Sequence, residues 1–244
     1  MVKIKPIVAI DAGNTRIKWG FHDGTMWAGK GVLATADAAW LSESADEWPA
    51  DARIVICNVA GALAGATLSR LLAPRYSDIV TLHAEAEACG VRNSYEHPKQ
   101  LGADRWAALI GARGRFSGAC LVVCAGTATT VDLLDAAGVF CGGLILPGFD
   151  LMRAALAQNT AQLPLAEGEF RTTPRNTMDA IVSGCLHAQA GAIERMFSAI
   201  ADAPGALCFL TGGGAERLAP QLNIPLQLAD NLILDGLVRY GTSL

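Results

Sequence analysis

The sequence predicts an α/β protein made of two similar halves, and three observations carry that prediction. A buried strand, a turn of small polar residues and a second strand open the chain, and the same pattern returns roughly 110 residues later. Strand-like apolar runs alternate with helix-like stretches in both halves. The 26 glycines cluster at strand ends, as expected where the backbone must approach another group closely.

Residues 7–10 read Ile-Val-Ala-Ile, a buried strand, and run into the turn Asp11-Ala12-Gly13-Asn14-Thr15. Residues 16–21 alternate like a second strand, Asp23-Gly24 supplies a turn, and 26–33 make a third. A helix is expected over 36–48, a strand over 53–58, a helix over 63–72 and a short strand over 79–82. Residues 93–100 read as a polar loop, and 106–115, rich in Ala, Leu, Ile and Arg, as a helix. The second half repeats the opening: strand 121–124, the turn 125–130, then strands 131–134 and 138–146. Helices are expected over 151–158 and 178–203, a strand over 206–211, then Gly212-Gly213-Gly214, a helix from Ala215 and a closing helix over 231–240. No linker rich in Pro, Gly and Ser intervenes, so the halves are placed at 1–116 and 117–244 and expected to share a cleft, the usual home of a ligand.

Composition narrows the function. Hydrophobic residues make up 52% and charged residues 17%, enough for a core and unlike a disordered chain. The net charge of -4 argues against a nucleic-acid partner. No apolar run reaches membrane-spanning length, and the opening residues do not read as a secretory signal. The seven Cys form no C-x-x-C pair and sit mostly in apolar strings, so they read as reduced core thiols of a cytoplasmic protein. Trp19, Trp40 and Trp48 read as packing residues.

Three small-residue turns are the candidate chemistry. In the first, backbone N–H groups around Gly13 suit an anion, Asn14 and Thr15 add donors, Lys18 reaches a phosphate, and Asp11 suits Mg²⁺. The same residues also suit an ordinary hairpin turn. The second, residues 125–130, stands at the equivalent place, and the third, Gly212 to Gly214, lies between a strand and a helix as a nucleotide site requires. Neither the Rossmann nor the P-loop pattern is present.

Three such elements on a duplicated frame resemble the actin, Hsp70 and sugar-kinase superfamily. The strings narrow the resemblance to the type III pantothenate kinases. These are residues 11–18 (DAGNTRIK), 101–106 (LGADRW), 126–130 (GTATT), Gly142-Gly143 with Pro147-Gly148, Asn176-Thr177, Thr211-Gly212-Gly213, and Asn231-Leu232 with Asp235-Gly236-Leu237. Each block is short; together, in family order, they are specific.

The resemblance implies a duplicated ribonuclease H-like fold with mixed sheets flanked by helices. It implies a homodimer that transfers the γ-phosphoryl group of ATP to the 4′-hydroxyl of pantothenate in coenzyme A synthesis. ATP with Mg²⁺ would meet Asp11, Ala12, Gly13, Asn14, Thr15, Arg16, Ile17, Lys18 and Thr127, with Asp11 organising the metal. Asp104 would be the general base, and Tyr95, Gly102, Ala103, Asp104, Arg105 and Thr177 would line the pantothenate site, with Arg105 at the carboxylate. Many family members carry an acidic residue just before the second turn, where it helps hold a monovalent cation. Cys124 stands there instead, a poor ligand for K⁺ or NH₄⁺, so that dependence is expected to be altered or lost. Two other readings stand beside this one: another kinase or phosphatase of the superfamily, or a non-catalytic accessory factor for transcription.

Overall fold

The computed structural model describes residues 5–165 and 167–244. Residues 1–4, the start of the N-terminal half, and Ala166 lie outside the described residues. In chain order the elements are β1 (Ile7–Ala12), β2 (Arg16–His22), β3 (Trp27–Ala34), α1 (Leu41–Ala45), β4 (Arg53–Asn58), α2 (Ala62–Leu72), β5 (Ile79–Thr81), β6 (Glu87–Ala88), β7 (Val91–Asn93) and α3 (Ala103–Arg115). Then follow β8 (Cys120–Ala125), β9 (Ala128–Leu134), β10 (Val139–Pro147), α4 (Phe149–Asn159), α5 (Thr177–Phe197), β11 (Leu207–Thr211), α6 (Ala215–Leu218), β12 (Leu226–Leu228) and α7 (Leu232–Ser243).

Contacts divide the chain into two compact units. The first comprises Met1–Ser117, Gly138–Phe140 and Asn231–Leu244, and the second Gly118–Ala137 and Cys141–Asp230. In the first, the sheet order is β3-β2-β1-β4-β5. Strand β1 is antiparallel to β2 and parallel to β4. All six β1 residues are buried because both faces of the strand are covered. One face packs Val8, Ile10, Ile17, Ile54 and Ile56 on Leu68, Leu72 and Leu41. Helix α7 lies against β1 and β4, where a Cβ at Gly241 would meet Val55 at 2.7 Å.

Helices α3 and α7 cross at two glycines. A Cβ at Gly111 would stand 2.1 Å from the Leu232 carbonyl oxygen, and one at Gly236 would stand 1.8 Å from that of Ala107. The helix that carries Asp104 is thereby clamped at its middle. At its far end Arg115 pairs with Asp235, whose other carboxylate oxygen accepts the Trp27 indole N–H at 3.1 Å.

The second unit repeats the plan. Its strands run in the order β10-β9-β8-β11-β12, element for element the order of the first, with β8 antiparallel to β9 and parallel to β11. Leu121, Val123, Val131 and Leu133 meet Ile181, Leu186, Ile193 and Phe197 of α5 and Leu210 of β11. The matching order bears out the duplicated α/β fold.

Several boundaries differ from the expectations. Residues 36–48 do not form one helix: a 3₁₀ turn over Thr35–Trp40, with Asp37 off helical geometry, leads into the five-residue α1. That irregular turn leaves Trp40 66% exposed, whereas Trp48 is buried against the Trp19 ring at 5.2 Å. The second small-residue turn is only Gly126-Thr127, because Thr129 and Thr130 already belong to β9. Helix α5 ends at Phe197, where the Ser198 hydroxyl donates to the Arg195 carbonyl and competes with the helical ladder. Four of the seven cysteines are buried; Cys89 and Cys124 are half-buried and Cys141 is exposed.

Candidate active site

In the first unit the chemistry gathers where β1 ends and α3 begins. Asp11 is the fifth residue of β1 and 8% exposed. Its register neighbours are Lys18 on β2 and Cys57 on β4, so the three side chains share one face of the sheet. Burial raises the Asp11 carboxyl from the ordinary 3.8 to about 7; Asp104 adds to the rise and Lys18 opposes it. Cys57 is fully buried, and its thiol is pushed well above its usual value by burial and by the same two carboxylates.

Asp104 sits in the first turn of α3, behind Gly102 at the N-cap. Its Oδ1 accepts the Arg105 backbone N–H at 2.9 Å. The positive end of the helix favours a carboxylate here. A Cβ at Gly102 would stand 2.6 Å from Asp104 Oδ1, so Gly102 leaves room for that carboxylate.

The Arg105 side chain meets Tyr95. It is 4% exposed, and its Nη1 donates to the Tyr95 hydroxyl at 2.8 Å. The guanidinium carbon lies 5.6 Å from the Tyr95 ring centre and 5.7 Å from that of Phe140. Arg105 is the planar donor expected for a carboxylate, held in an aromatic frame.

Asn14, Thr15 and Arg16 are exposed around the first turn, and Gly13 N–H donates to the Arg16 carbonyl at 3.0 Å. Ala12 and Ile17 point into the core; any ligand contact they make is through the main chain.

In the second unit three glycine segments converge on the end of β8. Gly126 N–H closes the β8–β9 turn on the Ala128 carbonyl at 3.0 Å, one residue tighter than the Gly13–Arg16 bond of the first turn. Gly148 N–H donates to the Thr127 carbonyl at 2.8 Å, and Gly214 N–H donates to that of Ala125 at 2.9 Å. Side chains are excluded there: a Cβ at Gly148 would stand 2.1 Å from the Gly126 oxygen, and one at Gly212, with φ of 98°, 2.3 Å from the Ala125 oxygen. Thr127 is exposed at this junction. The second and third small-residue turns thus meet at the end of β8 within this unit.

Thr177 also lies in the second unit. It opens α5 after the Asn176 cap, whose side chain accepts the Asp179 N–H at 2.9 Å. It borders an apolar groove of about 1140 Å³ walled by Leu151, Met152, Leu156, Leu163 and Ile181 of the α4–α5 region. Cys124 pairs with Thr130 across β8 and β9, and Asp132, one step along the same face, is fully buried.

Sequence reasoning missed Cys57 and Phe140. Cys57 is legible in hindsight because a strand after the first hairpin must pair with β1. Phe140 carried no local signal; only the pairing of β10 with β7 brings it to Arg105.

Asp11 offers the kind of carboxylate oxygen that a hard divalent cation would take. Among the described residues no group of three or more His, Cys, Asp or Glu could hold a metal ion, so such an ion would complete its shell with water and substrate phosphates, as Mg²⁺ does. Burial and the Asp104 carboxylate raise the Asp11 carboxyl, and a cation bound there would favour its ionised form.

Comparison with known proteins supplies the family. The family described as type III pantothenate kinase matches residues 7–199. A type III pantothenate kinase of Aromatoleum aromaticum is 58% identical over 231 residues, 95% of this chain and 96% of that protein. One from Dechloromonas aromatica is 51% identical over 95% of this chain and 97% of that protein. Among solved structures, the ethanolamine utilization protein EutJ of Carboxydothermus hydrogenoformans superposes with a TM-score of 0.59 at 13% identity, over 97% of this chain and 90% of that one. Component A of (R)-2-hydroxyglutaryl-CoA dehydratase from Acidaminococcus fermentans superposes at 0.57 and 11% identity, over 98% and 97%. Those two share the fold, and at such identity nothing further. The extent and identity of the sequence matches place this chain in the type III pantothenate kinase family.

Proposed function

We propose that the chain transfers the γ-phosphoryl group of ATP to the 4′-hydroxyl of pantothenate, giving 4′-phosphopantothenate for coenzyme A synthesis. The observation that carries this reading is the Asp104–Arg105–Tyr95 cluster beside Asp11, on a chain whose relatives bear that enzyme's name.

Phosphoryl transfer needs little covalent help from the protein; positioning and charge neutralisation dominate. Asp11, opposite Lys18, would hold a Mg²⁺ ion that arrives with ATP, and that ion would supply the neutralisation. Asn14, Thr15, Arg16 and Lys18 offer donors to the phosphates, with the main chain from Ala12 to Ile17 forming the turn, and Thr127 offers a hydroxyl. Asp104 keeps one oxygen on the main chain and presents the other to the pantothenate hydroxyl, whose proton it accepts. Gly102 and Ala103 set that helix start, Arg105 and Tyr95 bind the carboxylate end of the substrate, and Thr177 contributes to the same substrate.

We further read the enzyme as a cytoplasmic homodimer without a nucleic-acid partner. No helix among the described residues is long and apolar enough to cross a membrane. Mass spectrometry of a reaction with γ-¹⁸O-labelled ATP tests the chemistry: label on 4′-phosphopantothenate is expected, and label in inorganic phosphate alone would overturn it.

A further inference from the structure

The Arg105 guanidinium is a buried cation packed on one side against two neighbouring rings. Burying a charge is costly unless partners compensate, and here the Tyr95 hydroxyl supplies one acceptor at 2.8 Å. The ring centres of Tyr95 and Phe140, at 5.6 and 5.7 Å, lie within the range at which an aromatic quadrupole acts on a cation, with Tyr95 presenting its hydroxyl edge. The rings also touch each other, centres 5.2 Å apart and planes tilted by 43°.

The backbone fixes this arrangement. Phe140 pairs with Asn93 across β10 and β7. Ser94 then donates both its N–H, at 3.3 Å, and its hydroxyl to the Phe140 carbonyl. The Asn93 side chain accepts the Tyr95 N–H at 3.1 Å and donates to the Glu85 and Pro98 carbonyls. Residues 93–95 and Phe140 thus form one hydrogen-bonded corner that carries both rings. Phe140 itself is fully buried, so substrate meets Arg105 and not this ring.

We propose that Phe140 is a positioning residue for substrate recognition: with Tyr95 it holds the Arg105 guanidinium in the orientation that receives the carboxylate of pantothenate, and so sets the preference for an anionic substrate. The proposal rests on the reading that Arg105 meets that carboxylate. A long Arg side chain has much rotamer freedom to lose on binding, and an aromatic frame removes that freedom beforehand.

The test compares wild type with Phe140→Leu, Phe140→Tyr and fluorinated phenylalanines at position 140. Fluorination drains the ring quadrupole with little change in volume. Pantothenate and its alcohol analogue pantothenol, which lacks the carboxylate, serve as substrates. Phe140→Leu is expected to raise KM for pantothenate about tenfold with kcat and KM for ATP unchanged. Phe140→Tyr, which keeps the ring, restores KM. The fluorinated series raises KM stepwise at a constant melting temperature, and with pantothenol all variants equal wild type. Equal KM across the fluorinated series, or the same loss with pantothenol as with pantothenate, would overturn the role. If Phe140→Leu does not fold, the fluorinated series decides alone. A wild-type enzyme that turns over pantothenol as well as pantothenate would instead show that the Arg105 reading has failed, and the Phe140 role with it.

Discussion

Replacing Asp11 by Asn should stabilise the ligand-free protein above neutral pH while abolishing its use of Mg²⁺–ATP. Burial and the Asp104 carboxylate raise the Asp11 carboxyl from 3.8 to about 7. The folded protein therefore holds a proton between about pH 4 and 7 that the unfolded chain has released. Stability falls as pH rises through that window, because the native state binds more protons than the unfolded one. Full ionisation costs up to about 4 kcal/mol relative to low pH. The amide of the Asp11→Asn variant carries no charge, so the variant should lose this dependence, matching wild type near pH 4 and exceeding it by about 2–4 kcal/mol at pH 8. All five tryptophans, Trp19, Trp27, Trp40, Trp48 and Trp106, lie in the first unit with Asp11. Urea unfolding in EDTA followed by tryptophan fluorescence therefore reports the unit that matters. Parallel wild-type and variant stabilities from pH 5 to 8, or a gap that widens toward acid, would refute the reasoning.

Two further predictions follow from packing and from the second turn. Gly236→Ala puts a Cβ 1.8 Å from the Ala107 carbonyl oxygen, so α7 must shift from α3; a loss of about 3 kcal/mol or more is expected by denaturant unfolding, and a neutral result would contradict the close crossing. Cys124, half-buried at the end of β8, is a poor ligand for a hard cation; we propose that no monovalent cation is used there, so rates in K⁺, NH₄⁺ and Na⁺ buffers should agree within error, and a steep K⁺ requirement would contradict this.

The sequence made the strands of the duplicated hairpins plain because β1 and β8 are buried on both faces and spell continuous apolar runs ending in small residues. The glycine turns were legible for the same reason: close backbone contacts such as Gly148 on Gly126 admit no side chain. Short elements were not. The β6–β7 turn places Cys89 at φ 51° and Gly90 at φ 74°, a positive-φ pair that Cys-Gly does not advertise as Asn-Gly would. Strand β12 has three residues, two of them exposed, and leaves no periodicity to read. The irregular turn before α1 hid behind apolar spacing that suits a helix, yet only five residues are helical. At the site, residue types pointed to Asp11, and the family resemblance to Asp104 and Arg105. Their partners did not follow, because the contacts of Arg105 with Phe140 and of Asp11 with Cys57 arise from pairing between strands distant in sequence.

The most direct measurement is ADP release by purified protein with Mg²⁺–ATP, with and without pantothenate, beside Asp104→Asn. The account predicts release that depends on pantothenate and collapses by on the order of 10²-fold or more in the variant. ADP release indifferent to pantothenate, or undiminished in Asp104→Asn, would contradict it.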